Sequence, residues 1–337
     1  MATDPDRALA AILPPALLDL LRGRALTLAR PVWGQRGGRH RAARAGLGHL
    51  FRAHRAYVPG DDPRHLDWRA MARRDRPMIR QTEGEDELSL VALVDLAGGM
   101  AYGEGATQKH RASAALVAAL AHLAIRQGDR VGFATGGDGA IDAAHLRPAG
   151  GVPRLLALAE ALAAPPLRGA CPWPALLAAA APRLPRRALV VVASDLLDPC
   201  PDAAPEAADA AEAELWASFA GLRARGHDVV LLRVLHPDEL DPPWRGGELL
   251  RIVDPQGARA DLEGMAAALR EGYRARFQAH REALARHCEG HGIHLLEVRS
   301  DAPLADALLG LLARLSGAPA PLDDALLGAP QPRQAGR

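Results

Sequence analysis

Two apolar runs, LSLVALVD (residues 88–95) and ALVVVASD (residues 188–195), each end on an aspartate. Apolar runs of this length without alternation are strands buried on both faces, the kind found in parallel sheets covered by helices. Parallel neighbours need long crossovers, and helical segments fill the intervals here. RVGFAT (130–135), DVVLLRVL (228–235) and GIHLLEVRS (292–300) read as further strands. GAIDAAHL (139–146), after the turn GGDG, reads as an edge strand, and ELLRIVD (248–254) as a hairpin or edge strand. Helices fit residues 107–128, with Thr107 as N-cap and Gly128 as the stop, and residues 152–163, 173–181, 206–225, 262–289 and 304–315. This alternation predicts a three-layer, Rossmann-like α/β fold, a mostly parallel sheet with helices on both faces.

Hydrophobic residues make up 49% of the 337, enough for a sizeable core. The net charge of +1, from 41 basic and 40 acidic residues, does not describe a polycation that seeks nucleic acid. Lys109 is the only lysine; every other basic residue is arginine, which points to a biased coding composition before it points to phosphate recognition. The cysteines, Cys171, Cys200 and Cys288, are odd in number, far apart and without a CxxC pair, so a reducing cytoplasm is expected rather than a disulfide framework. The first 21 residues carry early acids and internal prolines, and match neither a signal peptide nor a membrane span.

The chain changes character near residue 82. Between residues 22 and 80 arginine dominates, opposed only by Asp61, Asp62, Asp67 and Asp75. Glycines cluster in GQRGGRH (34–40), and PMIRQTE (77–83) reads as a short strand. The expected organisation is a basic N-terminal module over residues 1–82, an α/β domain over 83–317, and a tail over 318–337 with the composition of a disordered segment.

Five motifs occur in order: residues 38–87, which contain RAYVPGDDPRHLDW, then VALVDLAGGMAYG, QGDRVGF, VVVASDLLD and GHDVVLLRVLHPDEL. Together they resemble the domain of unknown function 58 family, whose core is similar to a von Willebrand factor A domain. The resemblance implies bacterial proteins encoded beside MoxR-type AAA+ ATPases. It also implies a divalent-cation site at the carboxyl ends of the strands, built as Asp-x-Ser-x-Ser, a threonine and a further aspartate. Magnesium takes near-octahedral oxygen ligands, which hydroxyls and carboxylates supply. Carried onto this chain, Asp95 matches the first aspartate and Asp195 the last. The serine positions hold Ala97 and Gly99, and the threonine position falls at Cys171. With all three hydroxyls replaced, and a thiol a poor magnesium ligand, metal binding is expected to be weak or absent and no other cofactor is implied. Asp95 and Asp195 then have a simpler role open to them, accepting backbone N–H bonds in their turns.

The segment RAYVPGDDPRHLDW (55–68) has turn chemistry at Pro59–Pro63 and alternating charge. Tyr57, Gly60, Asp61, Asp62, Arg64, Asp67 and Trp68 form either an internal ion-pair network or a partner-binding surface, with Gly98 and Gly99 as a second candidate surface. HRAARAGLGHLFRAHR (40–55) could contact phosphates, but the near-neutral charge of the whole chain favours a solvated basic face. His287, Cys288, His291 and His294 suggest zinc, yet Gly290 and Gly292 interrupt the helix there. Ser194, beside Asp195, could supply a hydroxyl, but it lies in no GxSxG elbow and its strand neighbours point it away from the site. GGMAYGEG fits no phosphate loop, since Lys109 comes too late for GxxxxGK. No catalytic set emerges. The sequence points to a non-enzymatic, cytoplasmic interaction or adaptor module with a MoxR-type AAA+ ATPase and a protein client as partners. A metal-dependent hydrolase of an acidic substrate is the alternative, and nucleic-acid binding through the N-terminal arginines a further one.

Overall fold

The computed structural model describes residues 9–10, 12–28, 37–46, 50–57, 66–74, 76–197, 208–254 and 261–317. After a short helix α1 (Pro15–Leu21), three antiparallel strands, β1 (Gly37–Gly46), β2 (Leu50–Ala56) and β3 (Met78–Asp86), form a sheet of order β1-β3-β2. Helix α2 (Trp68–Arg74) lies between the last two.

The α/β part runs β4 (Ser89–Asp95), α3 (Lys109–Arg126), β5 (Arg130–Gly137), β6 (Ala140–Asp142), α4 (Val152–Ala163), α5 (Trp173–Ala180) and β7 (Leu189–Ser194). It continues with α6 (Ala208–Ala224), β8 (Asp228–Leu235), α7 (Pro237–Leu240), a hairpin of β9 (Leu249–Ile252) and β10 (Leu262–Met265), α8 (Ala266–His291), β11 (His294–Arg299) and α9 (Leu304–Leu315). Six strands form one sheet in the order β11-β8-β7-β4-β5-β6, parallel except for β6 at the edge. This is the mostly parallel three-layer arrangement that the alternation implied.

Strand periodicity sorts the core into two layers. Leu90, Ala92 and Val94 of β4 face α1, α3, α4 and α9, whereas Val91 and Leu93 face α5, α6 and α8. β7 divides in the same way, with Val191 and Ala193 on the first side and Val190 and Val192 on the second. Burying each of these valines and leucines stabilises the fold by about 1.5–3 kcal/mol. Leu13, Leu17, Leu21 and Leu26 join the first layer, so the N-terminal helix is part of the main core.

The structure departs from the sequence expectation at two ends. Thr107 does not cap α3: Gln108 holds that position, and Thr107 instead shares a reciprocal pair of hydrogen bonds with Glu104 in the preceding 3-10 turn. Gly128, at φ +86°, does end the helix. Residues 262–265, expected as helix, pair antiparallel with β9. A ladder with a complementary neighbour outweighs weak helical preference over four residues. The expected tail, Cys200, and Gly60, Asp61, Asp62 and Arg64 of the loop motif lie outside the described residues.

Candidate functional site

The strand order reverses between β4 and β7: the chain first builds outward through β5 and β6, then crosses back to add β7, β8 and β11. In open α/β sheets the crevice at the carboxyl ends of the strands beside such a reversal is the favoured ligand position. Asp95 closes β4, and Ser194 and Asp195 close β7.

Val94 pairs with Ala193, so the same register sets Asp95 beside Ser194. Ser194 Oγ donates to Asp95 Oδ2 at 2.5 Å and accepts from the Leu196 amide at 3.0 Å. Asp95 Oδ1 accepts from the Ala97 amide at 2.8 Å. The expectation that Ser194 points away from the site is therefore corrected: two adjacent parallel strands put its side chain and that of Asp95 on one face. Asp195 has the opposite parity. It faces α3, where its Oδ2 lies 2.6 Å from Lys109 Nζ.

Lys109, in the first turn of α3, is fully buried. Its ammonium also sits 2.5 Å from Glu239 Oε1, carried by α7 at the end of β8. Glu239 is fixed from three sides. Its Oε2 accepts from the His236 amide at 2.7 Å, its carbonyl accepts from Tyr273 Oη at 2.8 Å, and α7 itself is capped by His236. Arg233, buried in β8, donates to the Asp195 carbonyl at 2.8 Å and pairs with Glu297 at 2.8 Å. Arg281 holds Glu297 at 2.7 Å from the other side.

Burial pushes the Asp95 carboxyl up from an ordinary 3.8 to about 7, and the Asp195 charge adds to it against the Ser194 and Ala97 hydrogen bonds. Burial works against ionisation of Asp195 too, but the Lys109 ammonium outweighs it and holds Asp195 below the ordinary carboxylate range. Lys109 is itself held above its ordinary value: burial opposes its charge, and Asp195 and Glu239 more than compensate. Glu239 is raised by burial, only partly relieved by Lys109, because one cation serves two acids.

The replaced hydroxyl positions also have structural explanations. Cys171 is buried, and burial followed by the Asp95 and Asp195 charges raises its thiol far above the ordinary value, so it is no thiolate nucleophile. Gly136, paired with Asp95 across the sheet, leaves room for it: a Cβ at Gly136 would meet Cys171 Sγ at 2.7 Å. Ala97 precedes a 3-10 turn over Gly98–Ala101 in which Gly98 and Gly99 are buried, and the Gly98 amide donates to the Gly169 carbonyl. Gly98 and Gly99 are therefore covered rather than presented as a surface; Tyr102, just beyond, is the exposed side chain, set edge-on to His236.

The cation site implied by the resemblance does not fit these residues. The three hydroxyl positions hold Ala97, Gly99 and Cys171, and the positive charge against Asp195 is an ammonium. Among the described residues, no three His, Cys, Asp or Glu side chains are grouped to hold a metal ion. His287 stacks on Trp216 at 4.6 Å and Cys288 is buried in the core. Upstream, Asp67 Oδ1 caps α2 through the Ala70 amide at 2.9 Å, and the Tyr57 amide donates to Pro77 O. Trp68 is 66% exposed, an unusual position for a large aromatic side chain.

The family model described as "Protein of unknown function DUF58" matches residues 53–283, more than half of the chain. The chain belongs to the DUF58 family. The DUF58 match takes in Asp95, Lys109, Asp195, Arg233 and Glu239. Uncharacterized proteins of Mycobacterium bovis and Mycobacterium tuberculosis are 28% identical over 307 residues, covering 90% of this chain and 92% of theirs. No described helix is long and apolar enough to cross a membrane.

Proposed function

We propose that this DUF58 protein is a non-enzymatic interaction module that works with a MoxR-type AAA+ ATPase and binds the client or assembly which the ATPase remodels. One observation carries the reading. At the crevice where an α/β fold would hold a substrate or cofactor, the charges are satisfied by one another: Lys109 lies between Asp195 and Glu239, and Asp95 is closed by Ser194 and Ala97. Covalent catalysis needs a nucleophile with an adjacent base and a space for the reacting atom. Cys171 is buried with a raised pKa, and the Ser194 hydroxyl is engaged on both sides. The family resemblance that the ordered motifs carry is what suggests the ATPase partnership, and the exposed Trp68 and Tyr102 are the contact candidates, together with Tyr57, Gly60, Asp61, Asp62, Arg64 and Asp67.

The test is co-purification with a MoxR-type ATPase from the same genome, followed by ATP turnover with and without this protein. The reading expects a stable complex, altered turnover, and weaker association for Trp68→Ala at unchanged thermal stability. Hydrolysis of phosphate or carboxylic esters by the pure protein, abolished in a folded Asp95→Ala variant, would overturn it.

A further inference from the structure

A cleft of about 590 Å³ opens on the other side of the α3 N-terminus, between α1, the end of α4 and the turn from β11 into α9. Its size falls in the range of about 300–1,000 Å³ common for small-molecule sites. The walls are alkyl: Leu13, Leu17, Ala112, Ala115, Leu162 and Leu304 among them. Two charged residues line it, Arg111 and Asp301. Asp301 is taken, because Arg299 grips both of its oxygens at 2.9 and 2.7 Å. Arg111 has no ion-pair partner among the described residues.

Two further groups in the same wall ask for an acceptor. Helix α9 begins at Leu304 behind Pro303, which supplies no side-chain cap. The Leu304 and Ala305 amides therefore lack acceptors within the helix, and both residues line the cleft. Asp306 in the same turn is exposed and is not part of the wall. Ser300, 97% buried and also in the wall, has a hydroxyl without a hydrogen-bond partner. An uncapped helix N-terminus, a guanidinium without an ion-pair partner among the described residues and a buried donor around an apolar cleft favour a negatively charged head on a hydrocarbon body.

We propose that this cleft binds a small amphipathic carboxylate, a medium-chain fatty acid anion. The alkyl chain packs against the leucine and alanine wall, and the carboxylate meets Arg111 and the start of α9. The site is independent of the Lys109 cluster and of the interaction role proposed above.

The experiment is calorimetric titration of the full-length protein with decanoate below its micelle concentration, and with decan-1-ol as the same chain without the charge. Decanoate is expected to bind once per chain and more tightly than the alcohol. Arg111→Gln removes a charge-assisted contact from an exposed position and is expected to weaken decanoate about tenfold or more, with the alcohol unchanged. Ala163→Trp at the exposed rim is expected to weaken both ligands without altering thermal stability. Absence of saturable decanoate binding, equal affinity for the alcohol, or wild-type binding by either variant would overturn the proposal.

Discussion

Replacing Lys109 with methionine keeps most of the side-chain volume and removes one charge. In the wild-type protein that charge lies 2.6 Å from Asp195 and 2.5 Å from Glu239 in a site closed to solvent. Removing one partner of a buried ion pair leaves the other desolvated and uncompensated, at a cost of about 3–5 kcal/mol. For a domain of this size each kcal/mol moves the midpoint by about 2–4 °C, so Lys109→Met should melt roughly 6–20 °C lower near pH 8. The loss should depend on pH. Without the ammonium, Asp195 joins Glu239 with a raised folded pKa, so both take up protons in the folded state more readily than in the unfolded chain. By linkage, the variant then gains stability relative to wild type as pH falls, and the gap narrows toward pH 4.5. The wild type moves the other way at Asp195, whose lowered pKa contributes stability above the ordinary carboxylate value and loses it as pH falls. Thermal unfolding followed by circular dichroism at both pH values measures this. A loss of the same size at pH 8 and pH 4.5 would mean that the lysine matters only for packing, and a change under about 2 °C at pH 8 would refute the reasoning altogether.

Other consequences concern Asp95 and its neighbours. Its folded pKa near 7 lies above the unfolded value, so the folded state holds a proton the unfolded chain has released, and this contribution is lost as pH rises from about 4 to 7. Asp95→Asn should therefore raise stability by about 2–4 kcal/mol at pH 8 and by little at pH 4, as read by denaturant unfolding; equal effects at both pH values would contradict the shift. Gly136→Ala should cost about 1–3 kcal/mol through the Cys171 contact, and Cys171→Ala in the same chain should recover much of it; strictly additive effects would show that the two do not touch. In a Cys200→Ser background, Cys171 and Cys288 are the thiols that remain, and both are buried. They should react with Ellman's reagent at pH 8 only as fast as the protein unfolds, and reaction within seconds in the native state would count against their burial.

Much of the α/β layer was legible because its elements are long and periodic. Helices α4 and α9 and strand β8 occupy the residues that their patterns mark. The site was harder to read. The contact from Ser194 to Asp95 spans 99 residues and that from Lys109 to Glu239 spans 130, and only the strand order brings them together. Two signals were present in the sequence. Lys109 is the one lysine in a chain otherwise supplied with arginine, which singles out a position that holds a compact ammonium. Arg233 interrupts an apolar strand, and a charge there requires a buried partner. Glu239 gave no such signal: HPDEL reads as an ordinary capped turn, and its Glu serves the cap as well as the lysine.

The central claim is that the positive charge at this switch point belongs to Lys109 and not to a metal. Isothermal titration of the purified, chelator-treated protein with Mg²⁺ and Mn²⁺ tests it most directly. The account predicts no saturable heat at micromolar to low-millimolar metal, together with a melting temperature that neither metal nor chelator shifts. A stoichiometric, micromolar site that disappears in Asp195→Asn would contradict it.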